Sequence, residues 1–451
     1  MLCLNLFTES CNLVEEDGTN QLVCNIIRKS ELHMATGEGL RRCARVLAKK
    51  ATTMNHEDFA AAQQALGMTH HEGSILLDRT LDQIVDPVKH YLHDPMHCLF
   101  VDGVCNVSVY LLLEEHISAG QKGIYGELEV FLNEWAYPGR VSCQTHLSAI
   151  FSSSRMKKHR DAQHIKCQAS DMLSLIPVLA MWCQAVLLPL ALCTPAVNAF
   201  IALCNLVQCL WCAGRSTLQP DTLDALVEDF LAKFSGVWGF AWMTPKFHWM
   251  LHFGDHLRKL GFLANCFCLE RRHRIAKRYA NELKNISRAT SDSLLMEVAC
   301  HHVSTLEDDG SCNFAIGLRN KKVASKKIKQ QILELLEADA DTVVYVSLTA
   351  RFSQHGLVHR DDIVLVKEHA SRNYKAARVL LLIEVEGVPI AMLEEFSLKS
   401  ADGLSSGFTK WSTNNALKVL TPLEDILDTC THTILRGGKT CMTILQPPDY
   451  R

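Results

Sequence analysis

From Met172 to Gly214 the chain carries no charged residue: MLSLIPVLAMWCQAVLLPLALCTPAVNAFIALCNLVQCLWCAG. No other stretch limits the fold so strongly, because that much apolar surface must leave water, either for a protein core or for a bilayer. The run is about long enough for two membrane spans broken near Pro195. Three features favour core helices. Ser174, Gln184, Asn198, Asn205 and Gln208 recur inside it, and Pro177, Pro189 and Pro195 cut it into short pieces. The flank holds Lys157, Lys158, Arg160 and Lys166 but also Asp161 and Asp171, so it gives no positive-inside signal. Buried core helices are therefore expected, with a membrane hairpin at 172–214 as the alternative.

The rest of the composition is that of a folded globular chain. With 451 residues, 48% hydrophobic and 21% charged, two or three domains are expected. A net charge of −3 gives no global polyanion-binding signature, so any nucleic-acid contact must rest on local patches. The 19 cysteines are odd in number and scattered among apolar neighbours. Without a secretory signal this reads as an intracellular, reducing setting with thiols acting as small buried hydrophobes.

Helices are expected within Ser30–Lys50, over His56–Leu66 and over Thr222–Phe234. The last places Leu223, Leu226, Val227, Phe230, Leu231 and Phe234 on one face, with Asp224, Glu228 and Asp229 opposite. The run VDGVCNVSVYLLLEEHI, ending at Ile117, is too short for periodicity to separate strand from buried helix. Beyond about Ala340 the pattern turns to β, in TVVYVSL, DDIVLVK, ARVLLLIEVEGVPIAML, ALKVL and KTCMTILQ, with turn-like EGV and RGGK between. A small antiparallel sheet or barrel is expected there, after a basic linker at 306–339.

Two segments carry the chemistry. YLHDPMHCLFVDGV places Asp94 and His97 beside apolar residues, and the stretch from Thr244 to Arg278 leads into Glu270 and a basic helix. Paired carboxylates from distant segments can hold Mg²⁺ or Mn²⁺ for phosphoryl transfer, whereas a single Asp or Glu is ordinarily a surface charge or a helix cap. His248 and His252 stand four apart with no glutamate of an HExxH motif, which favours a structural or hydrogen-bonding role. Cys209 and Cys212 form a CxxC inside the apolar run without a second pair, so buried thiols are expected. Cys266 and Cys268 look like alternating residues of a buried strand. Arg271, Arg272, Arg274, Lys277 and Arg278, with His273 among them, could neutralise DNA phosphates. The clusters Arg155–Arg160 and Arg319–Lys329 add further basic patches.

These residues also carry a resemblance. DPMH followed by an apolar stretch and Gly-Val resembles the D-x-M-H block of CACTA-type (En/Spm-like) DNA transposases. PKFHWMLHF, LGFLANCFCL and ERRHRIAK are similar to the later block of those and of the related Kyakuja-Dileera-Zisupton group. The resemblance spans roughly residues 60 to 285.

It implies an α/β, mainly helical chain with a partial RNase H-like transposase core. The core would comprise residues 1–130 and 241–305, an all-α insertion 131–240, and a β-rich domain 340–451 would follow the linker. It implies a metal-binding acidic triad that cuts and joins DNA, with Mg²⁺ or Mn²⁺ as cofactor. Asp94 matches the second acid, His97 its companion histidine and Glu270 the last acid, with His248, His252 and His273 in supporting positions. The first acid should lie on an upstream strand, yet Asp17, Asp58, Asp78 and Asp82 sit in helical or loop-like surroundings. The chain thus reads as N-terminally truncated, and cleavage by it alone is expected to be weak or absent. DNA and self-association are the partners implied, and the nucleus the location. The alternative is a non-catalytic, host-adopted DNA-binding or scaffold protein in which Asp94 and Glu270 are structural.

Overall fold

A computed structural model describes residues 37–66, 69–81, 83–87, 90, 92–139, 141, 147–213, 218–264, 266, 292, 295–296, 316–353, 356–368, 374–400, 408–435 and 438–445. Its first part is helical and its last part is a β-barrel.

The helices α1 (Gly37–Ala51) and α2 (His56–Leu66) fall where the sequence places them. Leu40, Ala44, Leu47 and Leu76 form a small core of their own. A short helix, α3 (Pro95–Leu99), leads into α4 (Val104–Ser118), the ambiguous apolar run. Residues 104–113 of α4 are all buried. A helix apolar on every side can be stable only as the centre of a bundle, and that is the place of α4. Against it lie α5 (Ile124–Asn133) and α8 (Thr194–Ala213); α6 (Ser153–Ala162) packs on α5, while α7 (Ala169–Trp182, running on through a π-turn to Leu190) and α9 (Pro220–Trp238) pack on α8.

The charge-free run therefore forms α7 and α8. Met172, Leu175, Ile176, Leu179, Val197, Phe200, Leu203 and Leu206 enter one continuous core with Leu112, Leu128 and Phe230. Pro95–Ser118 and Ala169–Leu190 are long and apolar enough to cross a membrane, and 83% and 50% of their most apolar windows are buried inside the protein. On α9 the buried residues are Leu223, Val227, Phe230, Leu231 and Phe234, as the amphipathic pattern requires.

The same core reaches α10 (Pro245–Trp249) and α11 (Phe253–Leu260) through Phe247, Met250, Phe253 and Leu257. Helices before, within and after the expected insertion thus share one interior. The mixed sheet of an RNase H-like core is not among the described residues of 37–266. The β-type contact there is an isolated bridge between Ala136 and His432. The physical reason lies in the sequence: the apolar spacing of these segments is helical or continuous rather than alternating.

In the β part, β6 (Ile363–Lys367), β7 (Tyr374–Val385), β8 (Val388–Ser400), β9 (Phe408–Pro422), β10 (Ile426–Ile434) and β11 (Thr440–Leu445) pair antiparallel throughout. The order β6-β7-β8-β9-β11-β10 returns to β6 and closes a barrel, which removes the free edges that invite aggregation. Glu386 and Gly387, at φ +54° and +80°, make the two-residue turn between β7 and β8. Val364, Val366, Ala377, Val379, Leu382, Ala391 and Leu393 share one core cluster, while Ile363, Leu365, Ala376, Phe396 and Trp411 form a second. Alternation along β6 puts its two sets on opposite faces, and both faces are buried.

The stretch expected as a basic linker joins this unit. β1 (Gly317–Arg319) pairs with β4 (Thr349–Arg351), which also pairs with β5 (Leu357–His359). β2 (Lys322–Val323) pairs with β3 (Val344–Ser347), which lies on β7. α12 (Lys326–Leu336) packs Ile332 and Leu333 against Val344, Ile383 and Val385. The barrel docks on the helices through the Ala136–His432 bridge and a Gly139 N–H donated to Asp362 Oδ1 at 2.8 Å. Met442 and Ile444 of β11 complete the helical core.

Candidate metal centre

Asp94 stands at the N-cap of α3 with an extended backbone, φ −83° and ψ 119°. Pro95 follows at the first helical position, where its missing N–H costs nothing. The sequence Asp-Pro-x-His is thus a helix-start signal before it is anything else. Asp94 accepts hydrogen bonds from Met96 N at 3.2 Å and His97 N at 3.1 Å. The His97 Nδ1 ring atom closes back on Asp94 Oδ2, and Cys266 N donates to Asp94 Oδ1 at 3.0 Å. Two segments 172 positions apart therefore meet on one carboxylate.

The group is enclosed but not sealed. The Asp94 side chain is 7% exposed and that of His97 26%, and Cys266 is buried. One ligand atom each from Asp94, His97 and Cys266 lies within 4.8 Å of the others.

The Pro245 segment locks onto the same helix from the other end. Lys246 Nζ donates to the Val101 carbonyl and, at 3.4 Å, to that of Asp102, just past the C-terminus of α3. A cation belongs there, where helix carbonyls point outward. The Cys98 thiol donates to the Lys246 carbonyl at 3.0 Å, and burial pushes its pKa far up, so it remains a thiol.

Beside this clasp four histidines gather. The His93 N–H donates to His256 Nε2 at 3.1 Å. The His93 ring stacks on His252 at 5.0 Å and on Trp249 at 5.3 Å, and tilts against His256 at 5.6 Å. His248 Nε2 and His252 Nε2 lie 3.1 Å apart, so one donates and the other accepts. Burial, then the neighbouring His252, His256 and His248, push His93 down to about 2, and burial also lowers His256. His93 and His256 are thus neutral near pH 7, and the stack avoids mutual repulsion.

Of the residues singled out from the sequence, the fold brings Asp94 and His97 into contact and pairs His248 with His252. Glu270, Arg271, Arg272, His273, Arg274, Lys277 and Arg278 lie outside the described residues, as does Cys268. Cys266, read as a buried strand residue, is instead a partner of Asp94. His256 had a signal available: His248, His252 and His256 recur at intervals of four, which puts them on one helical face. His93 and Lys246 had none beyond their neighbours. The α6 basic cluster is partly committed internally. His159 is buried between the Ile150 carbonyl at 2.8 Å and the Lys166 N–H at 3.0 Å, and Arg160 pairs with Glu114. Lys157 and Lys158 are exposed.

The described part of this centre fits Mg²⁺ or Mn²⁺ poorly. A catalytic Mg²⁺ or Mn²⁺ ion takes several carboxylate and water oxygens, whereas the described donors beside the single Asp94 carboxylate are an imidazole and a thiol, and the carboxylate itself accepts three backbone N–H groups. Asp94 thus fills the helix-cap role that is the ordinary alternative for a lone aspartate. No family profile, curated protein or solved structure matches this chain.

Proposed function

We propose that this is a transposase-derived protein whose ancestral chemistry was metal-dependent DNA cleavage and strand transfer. We propose further that in this chain it acts without cleavage, as a DNA-binding or scaffold protein. One observation carries the reading: Asp94 is part-buried, its side chain 7% exposed, and hydrogen-bonded as a clasp between the DPMH block and the segment that leads to Glu270. That meeting is what two blocks of one ancestral catalytic centre would retain. The hydrogen-bonding of the carboxylate to three backbone N–H groups is what a lost hydrolytic role would permit. The membrane alternative finds less support, because α7 and α8 spend their apolar residues on a shared protein core.

DNA binding would fall to the basic residues Arg271, Arg272, Arg274, Lys277 and Arg278. Five phosphate contacts would give a slope of about −4 to −5 for log affinity against log salt. The test is paired. Supercoiled DNA incubated with the chain and Mg²⁺ or Mn²⁺ is expected to stay intact, while a labelled duplex is retained in a salt-dependent way. Nicking by the wild type that Asp94→Asn abolishes would overturn the non-catalytic reading. Duplex binding unchanged by Arg271→Ala/Arg274→Ala would rule out this basic cluster as the DNA contact.

A further inference from the structure

We propose that Asp94, His97 and Cys266 form a site for one transition-metal ion of the Zn²⁺ class, which staples α3 to the segment containing Cys266. The donor atoms and their positions support this site whether or not the transposase reading holds.

The three donors are a carboxylate, an imidazole and a thiol, with one ligand atom of each inside a 4.8 Å sphere of mutual separation. Zn²⁺ binds these groups at about 2.0–2.3 Å in a tetrahedral shell, which places neighbouring donors about 3.3–3.8 Å apart. All three donor atoms lie within 4.8 Å of one another, and Asp94 Oδ2 and His97 Nδ1 are in direct hydrogen-bond contact, so an ion enters once side-chain rotation parts that pair. Hard Mg²⁺ and Ca²⁺ select oxygen ligands and do not recruit a thiolate or an imidazole in preference to water. The donor set itself therefore selects the metal.

The supporting geometry is that of a prepared site. Met96 N and Cys266 N both hold Asp94 Oδ1, so the carboxylate is fixed with Oδ2 turned to His97 Nδ1. An ion bound between these groups replaces the proton shared by the imidazole and the carboxylate. The Cys266 thiol gives up its own proton on binding, so uptake releases protons to solvent. The Asp94 and Cys266 side chains are shielded while that of His97 is a quarter exposed, so the His97 side of the site opens to solvent, from which an ion and a water ligand would come. The two segments belong to distant parts of the chain, so a bound ion cross-links them much as a disulfide would, in a chain whose described cysteines form no disulfide.

The experiment uses the full, tag-free chain. After incubation with equimolar Zn²⁺ and gel filtration, elemental analysis should find about one zinc per chain. X-ray absorption of the zinc edge should show a single sulfur in a shell otherwise of nitrogen and oxygen. Cys266→Ser and His97→Ala should each weaken binding by at least about 100-fold in competition with a chromophoric chelator, beyond the 10- to 100-fold that loss of a supporting hydrogen bond causes. Cys209→Ser should bind as the wild type does. A wild-type chain that retains no zinc overturns the proposal. So does a shell of sulfur alone or without sulfur, and so does undiminished affinity in both ligand variants. Should a variant fail to fold, the wild-type zinc content and shell decide between the two outcomes.

Discussion

Replacing Asp94 separates a structural clasp from a catalytic acid. In Asp94→Ala the N-cap acceptor for Met96 N and His97 N disappears, which costs about 1 kcal/mol. The Cys266 N–H loses its acceptor in a shielded position, which costs about 1–3 kcal/mol, and the His97 ring loses its partner as well. The sum is about 3 kcal/mol, a large share of the roughly 5–15 kcal/mol that holds a domain together. Asp94→Asn keeps one acceptor oxygen but turns an amide N–H₂ toward the His97 donors, so about 1–2 kcal/mol is expected. Urea titration followed by the helical far-UV signal, with a chelator present throughout, gives both differences. Hydrogen exchange should rise first in the peptides that contain α3 and Cys266. A solvent-facing catalytic carboxylate behaves otherwise, since its removal usually leaves stability unchanged or raises it. A change below about 0.5 kcal/mol in Asp94→Ala, or a gain, would refute the clasp.

Two further tests address other parts of the fold. His432, whose backbone bridges Ala136 of the helical part, is pushed down to about 4 by burial first and by Arg378 second, against the opposing effect of Asp362. Its ordinary value near 6.5 applies in the unfolded chain, so the unfolded state takes up the proton first. Its contribution is complete above about pH 6.5 and is lost as the pH falls toward 4. Near pH 5 the loss is about 2 kcal/mol, so His432→Gln should flatten the acid limb of the stability curve by that order in pH-dependent urea titrations. At Gly103 a Cβ would stand 2.3 Å from the Cys98 carbonyl oxygen and 2.7 Å from the Leu99 carbonyl carbon, both backbone atoms. Gly103→Ala should therefore destabilise by about 3 kcal/mol in thermal unfolding, whereas Gly126→Ala, in open space within α5, should stabilise by about 0.5–1 kcal/mol.

The sequence by itself determined what had to be buried and much of what would be helix. The absence of charge between Met172 and Gly214 forced those residues out of water, and the apolar spacing on Pro220–Trp238 was enough to name the face that is buried. Alternation beyond Ala340 announced strands, because side-chain direction along a strand is a local property. The Asp-Pro start of α3 is equally local, since the cap and the proline act within one turn.

Only tertiary structure could decide which segments meet. Val104–Ser118 became a helix because a bundle surrounds it, a choice that its own apolar run left open. The residues after Gly317 became strands and a helix on β7 because their pairing partners lie elsewhere in the chain. The clasp of Asp94 and Cys266 is of the same kind. A hydrogen bond across 172 positions leaves no spacing to read, so the thiol beside the carboxylate became visible only when the core had drawn both segments together.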